Sequence, residues 1–141
     1  MPALRSKNWK GKTSDLYPEN LKYSKEHEWV KVDGAIATIG ITHHAQNELG
    51  DIVYAELPKV GAKFNAMQQF GVVESVKTVS TLYCPVAGEV VEVNSGLSAH
   101  PEAINTDPYG QGWMIKLKVS HPDELKPLLT AEQYKSIIKK L

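Results

Sequence analysis

Lys77 is the residue of this chain best placed for chemical modification. It lies in the segment Gly71–Ser80, at a short polar break between two runs of strand-forming residues, and Gly88 follows eleven residues later. This pattern predicts the tip of a β-hairpin, where side chains are exposed and freer for function than those of the scaffold. A modifying enzyme could reach a primary amine in that position. The neighbouring residues alone leave open the commoner alternative, a lysine that is merely solvated.

The composition predicts an ordinary globular domain. The chain has 141 residues, of which 42% are hydrophobic and 23% charged, enough for one domain with its own core. Sixteen basic residues balance sixteen acidic ones, so we expect no nucleic-acid partner, and without a long apolar run we expect no membrane partner. We interpret residues 1–20 as a polar N-terminal extension and residues 21–141 as the functional domain. The extension lacks the apolar centre of a secretory signal and only weakly resembles an organellar transit peptide.

Most of the chain has the pattern of β-strands. Asp33-Gly34 predicts a type I′ hairpin turn, and Thr42 predicts the N-cap of a short helix that ends at Gly50. After His121 the apolar residues follow helical spacing, which predicts a helical C-terminal segment whose last helix begins near Thr130. The predicted strands are 28–32, 35–41, 52–57, 69–76, 79–84, 88–93 and 112–119.

Other side chains with chemical potential are predicted to be structural. Cys84 is the single cysteine and lies in an apolar run, so we expect a buried, unpaired thiol and a reducing compartment. His43 and His44 begin the short helix without a cysteine or carboxylate cluster at zinc spacing, so we expect exposed or weakly capping side chains and no metal. We expect Tyr109 to pack in a turn over 107–110. The predicted core includes Trp29, Met67, Trp113 and Met114.

Eight segments carry a further signal when they are taken together: Glu26–Val30, Ala37–Thr42, Ala45–Gln46, Leu49–Val53, Glu56–Pro58, Gly71–Lys77, Pro85–Val90 and Asn105–Gly110. In this order and spacing they resemble the H-protein family of the glycine cleavage system, from about Leu21 to the C-terminus. The resemblance implies a mainly β fold: a lipoyl-domain-like barrel-sandwich hybrid of two antiparallel sheets, with short helices and a C-terminal helical segment.

The resemblance also implies a function. Lys77 would carry lipoate in amide linkage, attached by a lipoate ligase or a lipoyl/octanoyl transferase. The chain would be a carrier rather than an enzyme, and a monomer. It would take an aminomethyl group from the P protein (glycine decarboxylase) to the T protein (aminomethyltransferase), and its dithiol to the L protein (dihydrolipoyl dehydrogenase). The expected location is the cytoplasm of a bacterium, with the mitochondrial matrix as the alternative.

The resemblance assigns roles to the neighbours of Lys77 as well. Glu74, Ser75, Val76 and Gly88 would belong to the motif that lipoyl-attaching enzymes recognise, although Glu74 could also be a plain hairpin-face charge. Glu28 matches an acid of the cleft that receives the arm, with a solvated strand glutamate as the alternative. The chain departs from the family at two places. Thr81 stands where an acid is common four residues after the lysine, and His43-His44 stand where an acid often follows Ile-Thr.

Three functions remain as hypotheses at this point. The first is the glycine cleavage carrier, and the second is a related H-like protein that donates lipoyl groups to 2-oxoacid dehydrogenase complexes. The third is a biotinyl carrier or an acyltransferase lipoyl domain. It is disfavoured because Val76 and Thr78 flank Lys77, where biotinyl hairpins usually have methionines and acyltransferase domains have a preceding aspartate.

Overall fold

Two antiparallel sheets form the body of the molecule. The computed structural model describes residues 16–139, and nine strands lie within that range. The strands are β1 (Lys22–Tyr23), β2 (Glu28–Asp33), β3 (Ile36–Ile41), β4 (Ile52–Glu56), β5 (Lys63–Phe64), β6 (Gln69–Ser75), β7 (Val79–Tyr83), β8 (Gly88–Val93) and β9 (Ile115–Val119).

The order of the strands confirms the predicted fold class. One sheet has six strands in the order β1-β2-β3-β9-β8-β5, and the other has three in the order β4-β6-β7. Each paired strand runs antiparallel to its neighbour. Apolar side chains that alternate along the strands point between the sheets, because successive residues of a strand face opposite sides. The resulting core contains Val30, Ala37, Ile39, Ile41, Ile52, Phe70, Val73, Leu82, Cys84, Val90, Met114, Ile115 and Leu117, with others.

Short helices close the ends of the sheets. In the described part of the chain, the α-helices are α1 (His43–Leu49), α2 (Ala103–Thr106) and α3 (Ala131–Lys139), and 3-10 turns span Ser95–Ser98 and Pro122–Leu125. Thr42 caps α1 as predicted, since its hydroxyl accepts a hydrogen bond from the Ala45 N–H at 3.2 Å. Within residues 16–139, no helix is long and apolar enough to cross a membrane.

A second apolar cluster joins α3 to the sheet. The Tyr23 and Tyr134 rings stack with their centroids 4.9 Å apart, and Tyr17 packs edge-on against both. Thr130 and Gln133 begin α3 with a reciprocal capping box, because each side chain accepts the other residue's backbone N–H. The cluster contains Tyr17, Leu21, Tyr23, Trp29, Ala131 and Tyr134. The domain boundary at residue 20 stays a prediction, and residues 1–15 and 140–141 lie outside the described part of the chain.

The first hairpin turn differs from the predicted type. Asp33 pairs with Ile36, so the two loop residues are Gly34 and Ala35 rather than Asp33 and Gly34. Of these two loop residues, Gly34 has a positive φ, 64°, and Ala35 does not. A type I′ turn needs positive φ at both central residues, whereas type II′ needs it only at the first. The prediction of type I′ was therefore wrong, because the pairing register had been placed one residue too early.

Two further details of the chain correct the sequence predictions. Leu129 pairs with Tyr23 as an isolated bridge, so the helical pattern before residue 130 forms only the 3-10 turn that ends at Leu125. Met67 was expected in the core but is 53% exposed. It occupies a turn with φ of 69°, where its N–H donates to the Cys84 carbonyl at 2.6 Å, and this conformation points the side chain outward.

Candidate functional site

Lys77 lies at the exposed tip of the hairpin between β6 and β7. The hydroxyl of Ser75, which is buried, accepts the backbone N–H groups of Lys77 and Thr78 at 3.2 and 3.1 Å. The Ser75 N–H donates to the Thr78 carbonyl at 2.8 Å and closes the turn. Such a serine turn fixes the backbone and leaves the side chains at its tip outside. The predicted position of Lys77 is therefore confirmed, and its modification stays a prediction.

The Lys77 side chain passes over the end of α1. A Cβ atom placed on Gly50 would lie 3.4 Å from Lys77 Cε, so the two residues are close neighbours. Gly50 has φ of 83°, in the left-handed region that favours glycine, and it ends α1 as predicted. Asn105 holds this corner: its amide N–H group donates to the Gly50 carbonyl at 2.9 Å, and its oxygen accepts the Ile52 N–H at 2.8 Å.

A cleft of about 310 Å³ lies beside this hairpin. One of its walls is α1, another is the chain entering β2, and the third is β7, one of the two edge strands of the three-stranded sheet. Thr81, four residues after Lys77 in the sequence, lines the cleft from β7. The residues around the cleft are Glu26, His27, Glu28, Ile41, His44, Ala45, Glu48, Leu49, Ser80, Thr81 and Leu82.

Glu28 is a buried acid in the wall of this cleft. Only 1% of its surface is exposed, so the alternative of a solvated strand glutamate is wrong. One carboxyl oxygen is 2.5 Å from the Ser24 hydroxyl, and the other accepts the Tyr83 N–H at 3.1 Å. Burial raises the pKa of Glu28 from 4.5 to about 7, and the hydrogen bonds from Ser24 and Tyr83 oppose this rise. The carboxyl can therefore either hold or release a proton near neutral pH.

The C-terminal helix supports the cleft from behind. The Tyr134 hydroxyl, on α3, lies 2.7 Å from His27 Nδ1 and 2.8 Å from Thr42 Oγ1. His27 needs this support because its φ of 73° is left-handed, which is uncommon for any residue except glycine. Neither residue is predicted for this site from the sequence, because Tyr134 and His27 are 107 positions apart and no local pattern connects them.

The other residues of the predicted recognition motif lie in two different places. Glu74 is half-buried on β6 and Val76 is 69% exposed in the turn, so both are near Lys77. Gly88 is buried in β8 of the other sheet, where an added Cβ would lie 2.5 Å from the Lys118 carbonyl oxygen. Close packing of β8 against β9 therefore accounts for a glycine at position 88. The role of all three residues in recognition stays a prediction.

The remaining reactive side chains have structural surroundings. Cys84 is fully buried, and burial raises the pKa of its thiol to about 12. Tyr109 packs against Trp29, and its hydroxyl accepts the His43 N–H at 2.9 Å, which confirms a packing role. His43 and His44 are half-buried rather than exposed: the His43 ring meets the Tyr17 ring edge-on, and the His44 ring lies tilted against the His27 ring, with centroids 4.9 Å apart. Within residues 16–139, no group of three or more side chains has an arrangement that could hold a metal ion.

The fold and the hairpin define a class of protein: a barrel-sandwich domain that presents a lysine at a turn. The family model of the glycine cleavage H-protein matches residues 21–141. The glycine cleavage system H protein of Symbiobacterium thermophilum is 58% identical over 122 residues, which cover 86% of this chain and 95% of that protein. The H protein of Geobacillus kaustophilus is 57% identical over 121 residues, with the same coverage.

A solved structure is similar as well. The crystal structure of a glycine cleavage system H protein from Mycobacterium marinum superposes with a TM-score of 0.80 at 38% identity, and it covers 86% of this chain and 98% of that one. The family match covers most of the chain, and the identities lie far above the level at which only a fold is shared. The chain belongs to the glycine cleavage H-protein family.

Proposed function

We propose that this protein is the lipoylated carrier of a glycine cleavage system. It takes an aminomethyl group from the P protein to the T protein and presents its dithiol to the L protein, and it catalyses none of these reactions itself. The observation that carries the proposal is the position of Lys77, exposed on a fixed turn next to a cleft that contains the buried acid Glu28. We expect a monomer, and because the relatives named above are bacterial we expect it in the cytoplasm of a bacterium.

The residues around Lys77 fit a lipoyl group in amide linkage to Nζ. When bound, this group supplies a dithiolane that takes up electrons and a sulfur that carries the one-carbon unit, chemistry that no side chain offers. The lysine provides an exposed amine for the linkage, and Ser75 fixes the backbone from which the arm extends. The cleft starts beside the same hairpin, and its lining combines the apolar side chains of Ile41, Leu49 and Leu82 with polar residues of α1, β2 and β7.

The cleft residues would protect and orient what the arm carries. Ile41, Leu49 and Leu82 exclude water, which slows hydrolysis of a labile group. The carboxyl group of Glu28 lies in the same wall. It can accept a hydrogen bond from an amine on the arm or, when ionised, neutralise the charge of that amine. Because its pKa is raised to about 7, this acid changes its protonation state within the pH range where the carrier would work.

Recognition by the attaching enzyme would depend on the hairpin. We propose that a lipoate ligase or a lipoyl/octanoyl transferase reads Glu74, Ser75 and Val76, and that Gly88 acts indirectly by keeping β8 in place. Two observations support the indirect role. Gly88 lies close to the Lys118 carbonyl, and its strand β8 belongs to the six-stranded sheet, whereas the Lys77 turn belongs to the three-stranded sheet.

The test is glycine decarboxylation in a mixture of the P, T and L proteins with this chain. We expect the lipoylated protein to support the reaction and Lys77→Arg to abolish it, with Lys63→Arg, on β5 of the other sheet, as a matched control that retains activity. An active Lys77→Arg protein would contradict the proposal. A lipoylated protein that does not support decarboxylation, but does pass lipoyl groups to a 2-oxoacid dehydrogenase, would favour the donor function instead.

A further inference from the structure

His27 occupies a turn position that favours glycine. Residues 25–27 form the loop of the hairpin between β1 and β2, because the Ser24 N–H donates to the Glu28 carbonyl at 2.9 Å across it. The His27 N–H donates to the Ser24 carbonyl at 3.1 Å, so the loop is a β-turn that ends at a residue with φ of 73°. Three-residue hairpin loops often have this form, and glycine is the residue best suited to the left-handed position. A histidine in this place indicates a role for its side chain.

Two contacts hold His27 in this conformation. Its ring Nδ1 lies 2.7 Å from the Tyr134 hydroxyl on α3, and its carbonyl accepts the Thr42 N–H at 3.0 Å. The same Tyr134 hydroxyl lies 2.8 Å from Thr42 Oγ1, which caps α1. We call His27, Thr42 and Tyr134 the clamp. The clamp joins the start of β2 to α1 and to α3, so it fixes the backbone that immediately precedes Glu28.

The clamp also connects the walls of the cleft. His27 lines the cleft, and its ring lies against the His44 ring of α1 with the centroids 4.9 Å apart. Glu28 follows directly in the sequence, and its carboxyl group accepts the Tyr83 N–H of β7 at 3.1 Å. The β2 wall is thus connected to α1 through the clamp and to β7 through Glu28. A change in the His27 backbone would therefore move this carboxyl group and alter its contact with β7.

The charges in the cleft make the position of Glu28 important for a bound amine. Glu26 and Glu48 also line the cleft, but both are exposed, so water screens their charges. Glu28 is buried, and a buried carboxylate attracts an ammonium group more strongly. Burial lowers the pKa of His27 and the neighbouring His44 lowers it further, whereas Glu26 and Glu48 raise it. The His27 ring is therefore neutral near pH 7, so it does not repel an ammonium group beside Glu28.

We propose that His27 is a positioning residue for retention of the aminomethyl group. Held by Tyr134, it keeps the Glu28 carboxyl in the wall of the cleft, where this acid binds the amine and slows loss of the group to water. The inference rests on the proposed function, because it assumes that the arm on Lys77 carries an amine. It also makes α3 a determinant of how long the carrier stays loaded.

The test measures how long the loaded carrier keeps its group. The full-length lipoylated protein is loaded with glycine and the P protein, these are removed, and formaldehyde release is followed without the T protein. Water cleaves the C–S bond in this reaction, and the products are formaldehyde, ammonium and the free thiol of the arm. We expect His27→Gly and Tyr134→Phe each to release formaldehyde about three- to tenfold faster, the range that corresponds to the loss of one hydrogen bond.

Three comparisons separate positioning from a general effect on the fold. Tyr23→Phe is the matched control, because it removes a hydroxyl of the same aromatic cluster that donates to the Pro18 carbonyl, and it should match the wild type. His27→Gly should keep a urea midpoint close to that of the wild type, because glycine suits a φ of 73°. In the Glu28→Gln background, His27→Gly should change the release rate by less than about twofold, because His27 acts through Glu28.

The unmodified protein gives a readout that is independent of loading. Burial raises the pKa of Glu28 to about 7, so a carboxyl NMR titration should show this pKa falling toward 4.5 in His27→Gly and Tyr134→Phe but not in Tyr23→Phe.

Wild-type release rates or an unchanged Glu28 titration in both clamp variants would overturn the inference. So would an equal acceleration in Tyr23→Phe, or a full effect of His27→Gly in the Glu28→Gln background. A lipoylated wild-type chain that the P protein does not load would instead refute the proposed function.

Discussion

The two ends of β7 lie in opposite environments. Its first residue, Val79, is 61% exposed next to the Lys77 turn, whose backbone N–H groups at Lys77 and Thr78 donate to the Ser75 hydroxyl. Its last residue, Tyr83, donates its N–H to Glu28, which is 1% exposed and also contacts Ser24. One strand thus connects a lysine that enzymes can reach to an acid that water barely reaches. A carrier needs an attachment point that enzymes can reach and a protected place for the group it carries, and the two ends of β7 fit these two requirements.

The largest expected effect on stability comes from Glu28, at the buried end of β7. The folded state binds the Glu28 proton more tightly than the unfolded chain, because burial raises the pKa from 4.5 to about 7. The stabilisation from this proton is complete below pH 4.5 and is lost as the pH rises through 7. Urea unfolding from pH 5 to 8 should show a loss on the order of 3 kcal/mol that Glu28→Gln lacks. Parallel profiles for the two proteins would contradict the buried position of Glu28.

The next largest effect on stability is expected from the Tyr134 hydroxyl, which contacts His27 behind the cleft. Tyr134→Phe removes the hydroxyl that lies between His27 and Thr42 and leaves the stacked ring in place. We expect the free energy of unfolding to fall by about 1–2 kcal/mol, because the half-buried His27 and the fully buried Thr42 each lose a hydrogen bond. Thermal and urea unfolding measure this loss. An unchanged stability would mean that the hydroxyl does not hold His27 in its left-handed conformation.

A smaller effect is expected at the exposed end. Ser75→Ala removes the acceptor for the N–H groups of Lys77 and Thr78, and it should cost about 1 kcal/mol. Hydrogen exchange at these two amides should become faster, because water then replaces the hydroxyl. The control is Thr78→Ala, which changes an exposed side chain of the same turn. Equal exchange in both variants would show that Ser75 does not organise the turn.

The smallest effect on stability is expected for Glu74. This half-buried acid lies on the open face of the three-stranded sheet, so Glu74→Gln should change stability by less than about 0.5 kcal/mol. Its lipoylation should nevertheless be slower if attaching enzymes recognise the charge. Glu89→Gln on β8 is the control, because Glu89 is an exposed strand glutamate of the other sheet. A normal lipoylation rate for Glu74→Gln would favour a plain hairpin-face charge.

The sequence predicted the exposed end of β7 better than the buried end. The turn at Lys77 follows from a local break between two strand patterns, and Thr42 and Gly50 bound α1 through local capping. The burial of Glu28 depends on Tyr83, 55 positions away, and no local pattern contains such a contact. Local patterns also failed at Met67, where a left-handed backbone turns an apolar side chain to solvent.

The most direct test of the whole account is the site of lipoylation. The unmodified chain is incubated with a lipoate-attaching enzyme, and the product is measured by intact mass and by peptide mapping. We expect one lipoyl increment, mapped to Lys77, in the wild type and in Lys63→Arg, and no increment in Lys77→Arg. A lipoyl increment that persists in Lys77→Arg, or a wild-type chain that acquires none, would contradict this expectation.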